Sequence, residues 1–133
     1  MGYWIEDFEN ALREFVLPEG ISIAVTKERF NFTFKLRLEN KDMGGFTFNS
    51  FDNVQDVMES CKTYVLYEYQ GKGYAQLMQE IKRYICKRLP LSLVANVSIY
   101  NETQIHILKK FGWMEVPLSH RTHMWYLDHR SYT

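Results

Sequence analysis

Gln70-Gly71-Lys72-Gly73-Tyr74-Ala75 is the stretch whose residue types and spacing best suit binding chemistry. A β-branched and aromatic run, Tyr64 to Tyr69, leads into it, and a helix starts near Tyr74. A strand that enters a glycine-containing turn and then a helix start can bind a phosphate. Successive backbone N–H groups face one concavity, and the helix dipole adds partial positive charge there. Gly71 and Gly73 leave the backbone bare, so a diphosphate can approach it, and either can take a positive φ. Lys72 places a mobile cation at the rim. Two glycines also serve plain turns, so the pattern alone leaves cradle and turn both open. Two carboxylates, Glu59 before the strand and Glu68 at the mouth of the turn, are placed to take a proton directly or through water. His120-x-x-His123 with His129 does not read as a metal site. No Cys or carboxylate stands at ligand spacing, and residues three apart on a strand face opposite sides.

The elements that must position these groups follow from periodicity. Trp4, Phe8, Leu12 and Phe15 predict a helix over 3–16, ended by Pro18-Glu19-Gly20. Ile21, Ile23 and Val25 alternate as a strand. Phe30, Phe32, Phe34, Leu36 and Leu38 alternate as a second, and Phe46 with Phe48 marks a third. These three predict an antiparallel meander with one buried face. Val54, Val57 and Met58 after Asp52 predict a short helix, and residues 61–67 a strand into the glycine turn. Tyr74, Leu77, Met78, Ile81, Tyr84 and Ile85 fill one face of a helix over 74–88, stopped by Pro90. Leu91, Leu93, Ala95 and Val97 form a strand parallel to the one before, because a helix joins them. Asn101 is a helix N-cap, with Gln104 three residues on, and Gly112 suits a left-handed C-terminal cap. Strands at 113–117 and 122–128 close the chain.

A chain of 133 residues with 16% aromatics predicts one packed, sheet-rich domain over 1–133. Net charge is zero, which gives no global argument for nucleic acid or an anionic membrane. The halves differ: residues 1–66 carry 7 Lys/Arg against 11 Asp/Glu, and residues 67–133 carry 9 against 5. A basic second half suits a polyanionic cofactor, and helix-end lysines account for it nearly as well. Cys61 and Cys86 lack metal or redox spacing and read as free thiols of a reducing cytoplasm. No leader and no membrane span is expected.

Gln70-x-x-Gly73-x-Ala75 resembles the Arg/Gln-x-x-Gly-x-Gly/Ala signature of the GCN5-related N-acetyltransferases, the GNAT superfamily. Asn101-Glu102-Thr103-Gln104 through Phe111-Gly112-Trp113 resembles that family's Asn-started helix, glycine and aromatic, at the family's spacing. The resemblance spans Tyr64 to Trp113 and implies an α/β (α+β) fold. Its mixed sheet would have six to seven strands, with an antiparallel N-terminal meander, splayed central strands and flanking helices. It implies that acetyl-CoA is the co-substrate, with no metal, held by Val65, Leu66, Tyr67, Gln70, Gly71, Lys72, Gly73, Tyr74, Ala75 and Asn101. Upstream, the family begins with a strand and two helices, whereas this chain begins with one helix. That region shapes the acceptor pocket, so the acceptor is the least legible part.

The implied activity is transfer of an acetyl group to an amine of a small molecule or a protein, in a cytoplasmic enzyme that could form a homodimer. Such transfer needs a held thioester, a neutral amine and a proton for the departing thiolate. A backbone N–H near Val65 or Leu66 would polarise the thioester carbonyl. Glu68 or Glu59 would serve as base. Many members place a Tyr seven residues after the helix-starting Asn; here that position is Leu108, which has no proton to give. Tyr100, Tyr67 and Tyr126 are the substitutes within reach by sequence. His106 falls on the helix surface. The alternative reading is a GNAT-shaped module, reduced in catalysis, that acts by binding a macromolecule.

Overall fold

Phe8, Ala11 and Leu12 share the buried face of α1 (Ile5–Arg13), the helix that the first apolar stripe predicts. The computed structural model describes residues 3–51, 56–117 and 122–128. The Asp7 carboxylate accepts from the Trp4 N–H at 2.8 Å, which ties down the start of α1.

Four strands follow as an antiparallel meander: β1 (Ile21–Glu28), β2 (Asn31–Leu38), β3 (Lys41–Ser50) and β4 (Val57–Val65). Glu39 and Asn40, both at positive φ, make the two-residue turn between β2 and β3, the sense that matches strand twist. Then α2 (Tyr74–Arg88) crosses over to β5 (Ser92–Ser98), which lies parallel to β4. After α3 (Glu102–Lys110) come β6 (Met114–Pro117) and β7 (Thr122–Leu127). The seven strands form one sheet in the order β1-β2-β3-β4-β5-β7-β6.

Aromatic rings fill the core between α1, α2 and the meander. The Phe8 ring lies 4.6 Å from that of Phe32 and 5.4 Å from that of Phe34, and Phe34 stacks on Phe46 at 4.8 Å. Burying each such ring contributes roughly 1.5–3 kcal/mol. Met78, Ile81 and Ile85 bring the apolar face of α2 onto the same core.

Three expectations are corrected. Val57 and Met58 begin β4, not a short helix; residues 52–55 lie outside the described residues. Their helical spacing is overridden by the ladder, in which Met58 faces both Ser50 and Leu93. The strand into the glycine turn therefore starts at Val57 instead of residue 61 and ends at Val65. Tyr67 belongs to a 3-10 turn, Tyr67–Tyr69, closed by Tyr69 N–H donating to the Leu66 carbonyl at 2.9 Å. Phe30 is 75% exposed in the β1–β2 turn, although it continues the alternation of β2.

One irregularity positions everything functional. β4 and β5 pair only from Val57–Ser92 to Glu59–Val94, and then part. On its other edge β4 loses register with β3: Gly45 faces Tyr64, but Thr47 faces Cys61. Lys62 and Thr63 thus share one opposing residue, Phe46, and Lys62 takes a φ of 52°. Such a bulge bends its strand. Here it turns β4 away from β5 just past the last paired residues.

Candidate active site between the parted strands

The parting opens a cleft of about 220 Å³. Ser60, Cys61, Lys62 and Thr63 form its β4 wall, and Ala95, Asn96, Val97 and Ser98 its β5 wall. Lys82 from α2, Asn101, Gln104 and Leu108 from the start and body of α3, and Trp113 complete it. Sites for whole drug-sized ligands run to roughly 300–1,000 Å³. A cleft below that range suits the arm of a longer molecule.

Local sequence explains each wall. Asn101 Oδ1 accepts from Gln104 N–H at 3.2 Å, so the side chain caps α3 while lining the cleft. Oδ1 is committed to the cap, which leaves Nδ2 as the group available to a ligand. Gly112, at a φ of 88°, ends α3 as expected, and Trp113 N–H donates to the Leu108 carbonyl at 3.0 Å. That cap swings the Trp113 indole inward, where Nε1–H donates to Gln79 Oε1 at 3.1 Å. Lys110 Nζ donates to Gln76 Oε1 at 3.2 Å, a second tie between α3 and α2.

The glycine turn lies at the N-terminus of α2. Gly71 and Gly73 have φ of 76° and 88°, and a Cβ at either would meet nothing within 4 Å. The glycines are therefore required by backbone conformation, and the space in front of them is open. Lys72 is exposed, while Tyr74 and Ala75 are half-buried in the first turn of α2. The first amides of α2 have no intrahelical acceptor and face that space. Gln70 Nε2 donates to the Val65 carbonyl at 2.9 Å, pinning the turn to the end of β4.

Val65 and Leu66 differ in availability. Leu66 N–H donates to the Met43 carbonyl at 2.9 Å, on the β3 side. Alternation along an antiparallel ladder turns the Val65 amide to the opposite edge, the one that β5 has left. The walls of the cleft lie further back, at Ser60–Thr63, residues that sequence reasoning did not single out. The signal was faint: a bulge in one strand has no composition of its own.

The carboxylates separate in the same way. Glu59 is half-buried at the apex, in the last residue pair before the strands part, and its Oε2 accepts from Asn96 Nδ2 at 3.3 Å. Glu68 is exposed on the 3-10 turn and does not line the cleft. Leu108 lines the cleft and is 1% exposed. Tyr67 and Tyr100 are 87% and 77% exposed, so neither is a core aromatic, and Tyr126 sits half-buried in β7. His106 is exposed on α3. His120 and His129 lie outside the described residues.

Lys82 is the group that sequence reasoning missed. It is 1% exposed, its Nζ donates to Thr63 Oγ1 at 2.9 Å, and it stands 5.0 Å from the Phe46 ring centroid. Burial pushes its pKa down to about 7. By sequence it sits in the basic last half of α2 and reads as a solvated helix-end cation. Burial also raises the Cys61 and Cys86 thiols, so both stay protonated at neutral pH and supply no counter-charge.

No protein-family model and no curated protein matches this sequence. Solved structures do. The spermidine N-acetyltransferase from Vibrio cholerae, solved with CoA and spermine, superposes with a TM-score of 0.66 at 17% identity, covering 78% of this chain and 69% of that one. A GNAT family acetyltransferase from Elizabethkingia anophelis with acetyl-CoA bound gives 0.68 at 10% identity, covering 84% and 99%. RimL, a ribosomal L7/L12 alpha-N-protein acetyltransferase in complex with coenzyme A, gives 0.63 at 12%, covering 75% and 63%. At these identities the likeness is one of fold. Seven strands in this order, parted at β4 and β5 above a glycine turn, give this chain the fold of the GCN5-related N-acetyltransferases.

Proposed function

We propose that the chain binds acetyl-CoA and transfers its acetyl group to an amine of a small molecule or a protein. One observation carries the reading: the cleft between β4 and β5 lies along the strand that runs directly into the open glycine turn at the N-terminus of α2. The turn offers amides and a helix dipole to a diphosphate, and the cleft has room for an extended arm. Structures of the same fold carry coenzyme A or acetyl-CoA. Among the described residues no helix is long and apolar enough to cross a membrane. A cytoplasmic setting suits the two free thiols.

In this reading the Gly71–Ala75 amides hold the diphosphate, with Lys72 at the rim. The edge of β4 from Thr63 to Val65 presents backbone donors to the acylated arm, including one for the thioester oxygen. Glu59, at the apex and oriented by Asn96, takes the proton that the attacking nitrogen sheds. Holding thioester and amine together supplies much of the rate. The neighbours act on spermidine and on a ribosomal protein, so both acceptor classes stay in view.

Calorimetry with acetyl-CoA tests the reading: one molecule bound per chain is expected, with competition by coenzyme A. No heat from a folded sample would overturn it and leave the macromolecule-binding alternative, which the apolar Leu108 in the cleft favours. Asn101 gives a residue-level check. Asn101→Asp keeps the α3 cap, since the two residues cap almost equally, but removes the amide donor and adds negative charge. It is expected to melt near the parent and to bind acetyl-CoA about tenfold more weakly, a difference of about 1.4 kcal/mol. Asn101→Ala should lose about 1 kcal/mol of stability as well. If the Asp variant binds as the parent does, Asn101 is a cap only.

A further inference from the structure

A lysine sealed inside an acyl-transfer cleft, with a hydroxyl as its hydrogen-bond partner, is a costly arrangement. Lys82 Nζ donates to Thr63 Oγ1, on the wall where β4 has bulged away from β5, and both residues line the cleft. Leu108, at the position where a proton donor is expected, lines the same cleft. We propose that the Lys82 amine supplies the proton taken up by the departing coenzyme A thiolate, filling the role that Leu108 leaves vacant; the inference rests on acetyl-CoA occupying the cleft.

The step balances. The acceptor nitrogen bonds to the carbonyl carbon, the carbon–sulfur bond breaks, and its electron pair leaves on sulfur. A proton passes from Lys82 Nζ to sulfur, giving the thiol and leaving a neutral amine. The proton shed by the attacking nitrogen, received by Glu59 or water, restores the ammonium over the cycle. A donor works best when its pKa lies near the working pH, and burial brings Lys82 to about 7.

The surroundings leave that proton mobile. On α2, Cys86 is a buried, protonated thiol; on β4, Cys61 is likewise protonated, and Lys62 lines the cleft as a second cation. β3 contributes the Phe46 ring, and β5 and α3 contribute the uncharged Asn96, Ser98, Asn101 and Gln104. Glu59 hydrogen-bonds Asn96 and bears on Cys61. Thr63 Oγ1 aims the amine, and the face of Phe46 favours its charged form.

The test needs no acceptor. Coenzyme A is bound first by calorimetry, and the thiolate of the bound molecule is then followed with pH by its ultraviolet absorbance. A thiolate beside Lys82 favours the protonated amine, and that ammonium in turn lowers the thiol. The coupled pair should bring the thiol about one unit or more below that of free coenzyme A. In Lys82→Met the depression should vanish, with coenzyme A still bound. The ¹³Cε resonance of Lys82 should report an ammonium in the acetyl-CoA complex at about pH 6 and follow its loss as the pH rises through about 7, since the amine must hold a proton before it can give one. Equal thiol titration in the parent and Lys82→Met would overturn the proposal. So would an acetyl adduct on Lys82 after incubation with acetyl-CoA, read by mass, since the amine would then be an acceptor. Should Lys82→Met not fold, an unshifted thiol in the parent alone overturns it. A parent that binds no coenzyme A overturns the cofactor reading and this one together, which calorimetry distinguishes at the first step.

Discussion

Gly73→Glu is expected to bind acetyl-CoA at least a hundredfold more weakly than Gly73→Ala. Both variants force a side chain onto a backbone at φ 88°, so both melt lower than the parent, by about 1–2 kcal/mol. A Cβ at Gly73 meets nothing within 4 Å, so both variants begin from the same open space. The comparison thus cancels strain and isolates what the longer, charged side chain does to the ligand. A carboxylate about 5 Å from a phosphate charge, at an effective dielectric of about 20, repels it by roughly 3 kcal/mol, which is about a hundredfold. Calorimetry of the two variants beside their thermal melts reads both quantities. Equal affinities would mean that the turn does not face the diphosphate, and the cradle would be a turn and nothing more.

Lys82→Met is expected to stabilise the protein while impairing its chemistry. The lysine titrates at 10.5 unfolded and at about 7 in the fold, because burial disfavours its charge. Below pH 7 both states hold the proton and the folded state bears the whole penalty, on the order of 3–5 kcal/mol. Between about 7 and 10.5 the unfolded chain holds a proton that the folded chain has released, so parent stability rises with pH across that window. Methionine fills nearly the same volume with no charge to desolvate. The gain from substitution should therefore be several kcal/mol near pH 6 and fade toward pH 10. Urea melts of parent and variant across that range measure it. A gain that does not change with pH would mean that Lys82 keeps its proton throughout the range. Stability withheld at one buried position in a cleft is a common cost of function.

What the sequence determined by itself is what local chemistry dictates. Glycines at 71 and 73 are required because the chain turns left-handed there, and the amphipathic stripe over 74–88 gives α2 with its observed ends. Asn101 and Gly112 bracket α3 because caps act within a few residues. The parallel pairing of β4 with β5 follows from the helix between them. Each of these depends on neighbours in the chain, so each could be read before folding.

Only the tertiary structure decided the cleft. Val57 and Met58 have helical spacing but became strand, since the ladders on both sides outweigh a short segment's preference. The bulge at Lys62–Thr63 arises from a register difference between β3 and β4, and it moved the site's wall back from Val65 to Ser60–Thr63. Glu59 and Glu68 were equals in sequence; the parting of β4 from β5 put one at the apex and left the other in solvent. Lys82 stands among Lys, Arg and Tyr residues and looks solvated, yet the crossing of α2 over the bulge seals it against Thr63 and Phe46. Burial of a charge depends on what other elements place around it. Residues 60–63, 82 and 95–98 are far apart along the chain, and only the packed sheet and helix bring them to one cleft.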